Sequence, residues 1–370
     1  MPDYVPGPGT AWETAAPADL GLDASAIDDA VAYAIAHESK MDRDIGRALD
    51  TGHFSEPMPD GEILGPTEPR GDPSGLIVKG GRIVAEWGPT MAPDMTFSVA
   101  KSYLAILAGL AVADGKIGSV KDRVGEVVRD GGFDSPHNAA ITWEHLLQQT
   151  SEWEGTVWDK PDLIDRNREL DLPPNTPSRK GTHRDLQTPG TFWEYNDVRV
   201  NRLSLSLMRA IGRPLPEILK TRVMDPIGAS DQWRWEGYRN SWIEIDGERM
   251  QSVSGGAHWG GGLFIPSRDH ARIGLLMARH GLWGEKRILA DDWMKASVTP
   301  CAINPRYGYL WWLNGERTHC PSAPASSVFA MGVGSNVIWW DADHDLVAVV
   351  RWIDKPHLDG FAARVMRAIG

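Results

Sequence analysis

The sequence predicts an α+β fold, with an antiparallel sheet flanked by helices, built from both ends of the chain and interrupted by an inserted helical domain. Three observations carry this. Two β-branched runs around Gly80-Gly81 read as a hairpin over 75–88. A second hairpin pattern, Asn336 to Trp340 and Leu346 to Trp352 about a turn at 341–345, lies near the other terminus. Between them the apolar periodicity is mostly that of helices. The sheet domain is therefore placed at 1–115 and 255–370, and the mainly helical insertion at 116–254.

In chain order, residues 1–24 are rich in Pro, Ala and Gly and read as extended, and Asp23 precedes a helix from about Ala24 to His37. The polar run 39–72 reads as a long loop. After the first hairpin a helix starts near Ser98 and stops at Gly115. It is apolar almost all round from Leu104 to Val112, the pattern of a buried helix. Thr142 opens a short amphipathic helix to Thr150. Residues 151–190 show little periodicity and read as a long lid-like loop. A helix after Asp197 runs through Leu203, Leu207 and Ile211 to Gly212, and another from Leu215 to Met224 ends before Pro226. Residues 233–250, with an Asp246-Gly247 turn, suit a hairpin or meander. A helix follows Ser267, a short one covers Ala290 to Ala296, Tyr307 to Asn314 reads as a strand, and a helix closes the chain after Asp359.

A formal net charge of −12 over 370 residues argues against nucleic acid or an anionic membrane as partner. No P-loop and no metal-type His/Cys spacing is evident, so no cofactor and no metal is expected, and the partner class is a small molecule. The first residues lack the basic and apolar regions of a signal peptide, which predicts a cytoplasmic protein. Cys301 and Cys320 are expected as free thiols. Seventeen Trp would suit an apolar pocket or an indole-rich core.

Ser98 and Lys101, three apart at a helix start, project from one turn, and the Ser98 amide has no intrahelical partner there. Burial disfavours an ammonium, and a neutral lysine can take a proton from a serine hydroxyl. A serine nucleophile also needs amide donors for the oxyanion. Two distant stretches answer these needs: Phe192-Trp-Glu-Tyr195-Asn-Asp197, just before a helix, and Met331-Gly-Val-Gly-Ser-Asn336, a small-residue turn entering a strand.

With these three segments the chain resembles the serine hydrolase superfamily of class C β-lactamases, DD-peptidases, family VIII esterases and 6-aminohexanoate-dimer hydrolase. The likeness extends to His145-Leu-Leu-Gln-Gln-Thr-Ser151, Asp225-Pro-Ile-Gly228, Gly260-Gly-Gly-Leu263 and Ser267-Arg-Asp269. It implies a β-lactamase/transpeptidase-like fold, Ser98 as nucleophile, Lys101 and Tyr195 as the acid–base pair, and the amides of Ser98 and Ser335 as the oxyanion hole. Which of Lys101 and Tyr195 removes the proton is left open by the sequence.

Two departures bear on substrate. The family's Tyr-x-Asn is Tyr195-Asn196-Asp197 here, so a carboxylate replaces an amide; Asp197 either binds substrate or caps the helix it precedes. Where β-lactamases have Lys-Thr-Gly this chain has Gly332-Val333-Gly334, without cation or hydroxyl. His258 and Trp259, preceding the Gly-rich segment, are candidate substrate contacts with Gly334 and Asp197, His258 being equally readable as a structural histidine. The leading expectation is a serine hydrolase acting on an ester or unstrained amide. A β-lactamase or DD-peptidase, and a non-catalytic ligand-binding protein on the same fold, are the alternatives.

Overall fold

The computed structural model describes residues 4–51, 56–170 and 176–370. Its main sheet is antiparallel, in the spatial order Trp312–Leu313, Val328–Gly332, Asn336–Asp341, Leu346–Arg351, Ser74–Lys79, Arg82–Trp87. The N-terminal hairpin thus extends the C-terminal meander, with Ile77 opposite Ala348, and both termini build one sheet as the sequence predicts.

Strand side chains alternate between faces, and the alternation assigns the helices. Ile77, Val84, Val337, Trp339, Ala348 and Val350 face the helices Ala24–Ala36 and Leu358–Ile369, while Leu76, Val78, Ile338, Val347 and Val349 face Val99–Ala113 and Ser267–Ala278. Gly274 lets the last of these close on the sheet, since a Cβ there would meet Val347 at 2.5 Å.

The Val99–Ala113 helix is buried from Val99 through Ala111, which explains its apolar circumference. A second sheet, ordered Asp94–Met95, Gly262–Ile265, Arg234–Ile245, Glu248–Val253, lies beside it, so residues 234–253 of the middle stretch form a hairpin turning at Asp246-Gly247. Buried Arg351 joins the two sheets. It donates to Asn336 Oδ1 at 2.7 Å, to the Ile265 carbonyl at 2.6 Å and to the Met95 carbonyl at 2.9 Å.

Several local expectations needed correction. The long loop 39–72 contains the helix Ile45–Thr51, whose Ile45 and Leu49 pack on Met95, Phe97, Phe264 and Trp352. Two apolar residues in so short a helix leave no periodic signal. The expected strand 307–314 pairs only at Trp312–Leu313, because Leu310 turns the chain with φ 57° and Tyr307 folds back to bridge Trp312. The helix from Leu215 changes to a wider π turn over Lys220–Met224. Cys301 and Cys320 are buried free thiols. Among the described residues, no helix is long and apolar enough to cross a membrane.

Candidate active site

Ser98 stands at the entry of the central helix, one residue after a strained one. Phe97 is fully buried with φ 49°, a conformation that a bulky L residue adopts only when its surroundings impose it. Those surroundings are two glycines. A Cβ on Gly256 would lie 1.9 Å from the Phe97 carbonyl oxygen and 3.0 Å from the Ser98 nitrogen, and one on Gly332 would lie 2.3 Å from the Thr96 carbonyl oxygen and 3.2 Å from the Ser98 nitrogen.

On the first turn, Lys101 Nζ donates to Ser98 Oγ at 2.9 Å and to the Gly255 carbonyl at 3.2 Å. Lys101 is 1% exposed, so the burial read from the sequence is real. It does not act alone: Asp197 Oδ1, itself buried, lies 2.8 Å from Nζ.

Asp197 also corrects the capping alternative. Asn196 is the N-cap, its side chain accepting from the Arg199 amide at 3.1 Å, and Asp197 is the first residue of the helix Asp197–Ile211. Its Oδ2 meets Arg168 at 2.8 Å and His258 Nδ1 at 3.3 Å. Burial opposes its charge, but Arg168, Lys101 and His258 outweigh it and hold the carboxyl well below the usual range.

Tyr195 comes to the same place. Its ring centroid is 5.1 Å from Lys101 Nζ and 5.3 Å from Arg168 Cζ. Trp312 stacks on it at 5.6 Å, and Trp193 and Tyr307 close the other edges. Two of the abundant indoles, with Tyr307, therefore build one aromatic wall beside the Ser–Lys pair.

The structure distributes the remaining candidates differently. His258 is buried between Asp197 and Glu56, whose Oε1 is 2.5 Å from Nε2. Trp259 is completely buried, with its indole N–H on Glu56 Oε2 at 3.0 Å, so it offers no open face to a substrate. Gly334 and Ser335, with φ of 74° and 54°, lie in the turn between the paired residues Gly332 and Asn336. Of this strand end and turn, the residue against the Ser98 backbone is Gly332, three positions before Ser335, and a Cβ on Gly334 would strike Trp352 at 2.3 Å.

Sequence reasoning missed Glu56, Asp165, Arg168 and Lys180. Asp165 accepts from the Asp197 amide at 2.7 Å and pairs with Arg168 and with Lys180, each at 3.3 Å, and Lys180 also bonds Glu56. The carboxylates Glu56, Asp165 and Asp197 so alternate with the cations Lys101, Arg168 and Lys180. Glu56, Asp165 and His258 bring their ligand atoms within 4.8 Å of one another, a grouping able to hold a metal ion, and Lys180 brings an ammonium to it. Because these residues come from separate stretches, no spacing in the sequence signals the cluster. The one hint was the density of Asp and Arg in the lid-like loop.

The α+β arrangement is the β-lactamase/transpeptidase-like fold, that of a class of hydrolases. The family model described as Beta-lactamase matches residues 75–366, and the chain belongs to that family. Solved structures with the fold include a penicillin-binding protein homolog from Caulobacter crescentus (TM-score 0.57, 15% identity, 92% of this chain and 96% of that one). They also include the hydrolase EstCE1, titled as having promiscuous acyltransferase activity (0.56, 15%, 93% and 99%), and a penicillin binding protein from Bacillus halodurans (0.55, 19%, 80% and 94%). No curated protein matches the chain.

Proposed function

We propose that the protein is a serine hydrolase that cleaves a small-molecule ester or unstrained amide through an acyl-enzyme on Ser98. The observation that carries the reading is the 2.9 Å bond from buried Lys101 Nζ to Ser98 Oγ at the entry of a helix. Nothing in core packing calls for an ammonium there.

In this reading Lys101, held by Asp197, orients the serine oxygen through its hydrogen bond, and Tyr195 takes the Ser98 proton. Oγ then forms a bond to the substrate carbonyl carbon. The resulting oxyanion is held by the Ser98 amide and by an amide of the 333–335 turn. The sequence pointed to Ser335 for this second donor; the contact of Gly332 with the Ser98 backbone favours the next amide, Val333. Tyr195 returns the proton to the leaving alcohol or amine as the tetrahedral centre collapses, then takes one from the water that releases the acid. The 332–335 turn has no cation or hydroxyl other than Ser335, which disfavours a β-lactam carboxylate.

The test is intact-protein mass spectrometry with p-nitrophenyl esters, a linear amide dimer and a penicillin, with absorbance following product release. An adduct or turnover with ester or amide that disappears in Ser98→Ala is expected. Full activity in Ser98→Ala would end this reading, and fast nitrocefin turnover would end the argument from the 332–335 turn.

A further inference from the structure

Asp197 turns one oxygen to Lys101 and the other to His258, and beyond His258 three lone-pair donors converge. Glu56, Asp165 and His258 each bring one ligand atom to within 4.8 Å of the others, and none of the three side chains is more than 10% exposed. Lys180 sets its ammonium among them. It bonds Glu56 Oε1 and lies 3.3 Å from both His258 Nε2 and Asp165 Oδ1.

We propose that this cluster is a site for one divalent transition-metal cation of the zinc class, which Lys180 fills with its ammonium and yields when the metal enters. One imidazole with two carboxylates suits such an ion, whereas Mg²⁺ and Ca²⁺ take oxygen ligands. Each donor is already turned inward. A carboxylate faces either nitrogen of His258, Asp197 at Nδ1 and Glu56 at Nε2, but the ammonium, which only donates, also faces Nε2. The ring proton therefore belongs on Nδ1, and the Nε2 lone pair points into the cluster. A carboxylate on the far nitrogen is what orients a metal-bound histidine.

Glu56 is held in the same way, since its Oε2 accepts from the Trp259 indole at 3.0 Å and leaves Oε1 to the cluster. Asp165 Oδ2 takes the Asp197 amide, while its buried Oδ1 accepts no hydrogen bond among the described residues and has Lys180 as its ion-pair partner. Glu56 Oε1 and His258 Nε2, 2.5 Å apart, stay together as two lone pairs only with a cation shared between them. Donors around one zinc ion lie about 2.0–2.2 Å from it, hence at most about 4 Å apart, so the cluster closes with shifts of under about 1 Å. Lys180 also has room to leave. With Glu56, Met58 and Leu163 it lines a cavity of about 410 Å³ between the 56–61 segment and the lid-like loop. Its flexible stem lets the ammonium withdraw there into water, and the same opening admits the ion and leaves its fourth position to a water.

The experiment titrates Zn²⁺ by calorimetry into the full chain after chelator treatment, a readout independent of the hydrolase reading. One ion per chain should bind. Lys180→Met keeps every ligand and removes the competitor, and it should bind roughly tenfold tighter or more, because the wild type binds only from molecules whose ammonium has withdrawn. Asp165→Asn and Glu56→Gln should each weaken binding roughly tenfold or more. Glu56→Gln, at the cavity wall, decides against the wild type if either of the other variants does not fold. No stoichiometric binding in Lys180→Met, equal affinity in Lys180→Met and the wild type, or undiminished affinity in Glu56→Gln would each overturn the proposal.

Discussion

Gly332 faces the backbone of Ser98 with no space between them: a methyl group on it would stand 2.3 Å from the Thr96 carbonyl oxygen and 3.2 Å from the Ser98 nitrogen. The end of the Val328–Gly332 strand and the entry of the central helix are therefore held at one separation, which in the proposed reaction would fix the distance between the two amides that hold the oxyanion. Gly332→Ala is expected to lower kcat/KM roughly a hundredfold while leaving far-ultraviolet circular dichroism intact, since a displacement of about 1 Å suffices for that loss. Gly115→Ala is the control. Gly115 has φ 68° with open space around it, so the substitution should cost about 1 kcal/mol and leave the rate unchanged. Wild-type kinetics in Gly332→Ala would remove the second amide from this strand end.

The Lys101–Asp197 pair makes a separate prediction about stability. Both members are buried, and removing one partner of a buried pair costs about 3–5 kcal/mol because the other is left without compensation. Asp197→Asn should lose on that order in urea denaturation at neutral pH. The folded carboxyl lies well below its ordinary value of 3.8, so its contribution is complete above that pH and disappears as pH falls below it. Stability of the wild type should thus fall more steeply than that of Asp197→Asn below pH 3.8. Parallel curves would show that the pair stores no net stability.

What the sequence disclosed depended on whether a signal was local. The hairpin at 74–87, the helix from Ser98 and the cap at Thr142 each follow from residues a few positions apart, and each formed as read. Ser98 and Lys101 were legible for the same reason, being one helical turn apart. Asp197 was named, but its real partners were not, since Lys101, Arg168 and His258 lie dozens of residues away and only the folded chain brings them together. Trp259 was misjudged for a related reason: adjacency to a Gly-rich turn shows where the backbone goes and not which way an indole points.

His270 offers a pH signature within the scaffold of the site. Its ring joins Thr96 Oγ1 at Nε2 and Tyr103 at Nδ1, each at 2.9 Å, so it ties the strand before Ser98 to the helix after it. Burial, aided by Arg351, holds it well below its ordinary value of 6.5, so it stays neutral in the fold and takes a proton once the chain unfolds. The unfolded state then binds more protons, and stability is lost as pH drops below 6.5, at up to about 1.4 kcal/mol per unit. Urea denaturation between pH 7 and pH 5 should show this slope, and His270→Gln should flatten it. Equal slopes in the two proteins would mean that His270 is protonated in the fold.

The lid-like loop is anchored, and Glu152 is the anchor. Its carboxylate is completely buried and takes Arg184 through both oxygens at 2.6 Å, Arg199 at 2.7 Å and the Gln187 amide at 2.8 Å. Arg199 belongs to the helix that follows Tyr195, so Glu152 ties both ends of the 151–190 stretch to the element that carries the site. Beyond the short antiparallel pair Thr156–Val157 with Lys160–Pro161 and the 3₁₀ turn Asp162–Asp165, the described part of this stretch has no regular structure, and such segments hold a shape only where side-chain contacts replace the missing ladder. Glu152→Gln preserves the volume but removes one of the two carboxylates that Arg184 and Arg199 share, leaving them Glu194, with Asp162 also on Arg199, at a cost of about 1–3 kcal/mol. Limited trypsin digestion should then cut within 151–190, at Lys180 or Arg184, at a protease dose that leaves the wild type whole. Resistance to trypsin equal to that of the wild type would show that other contacts hold the loop.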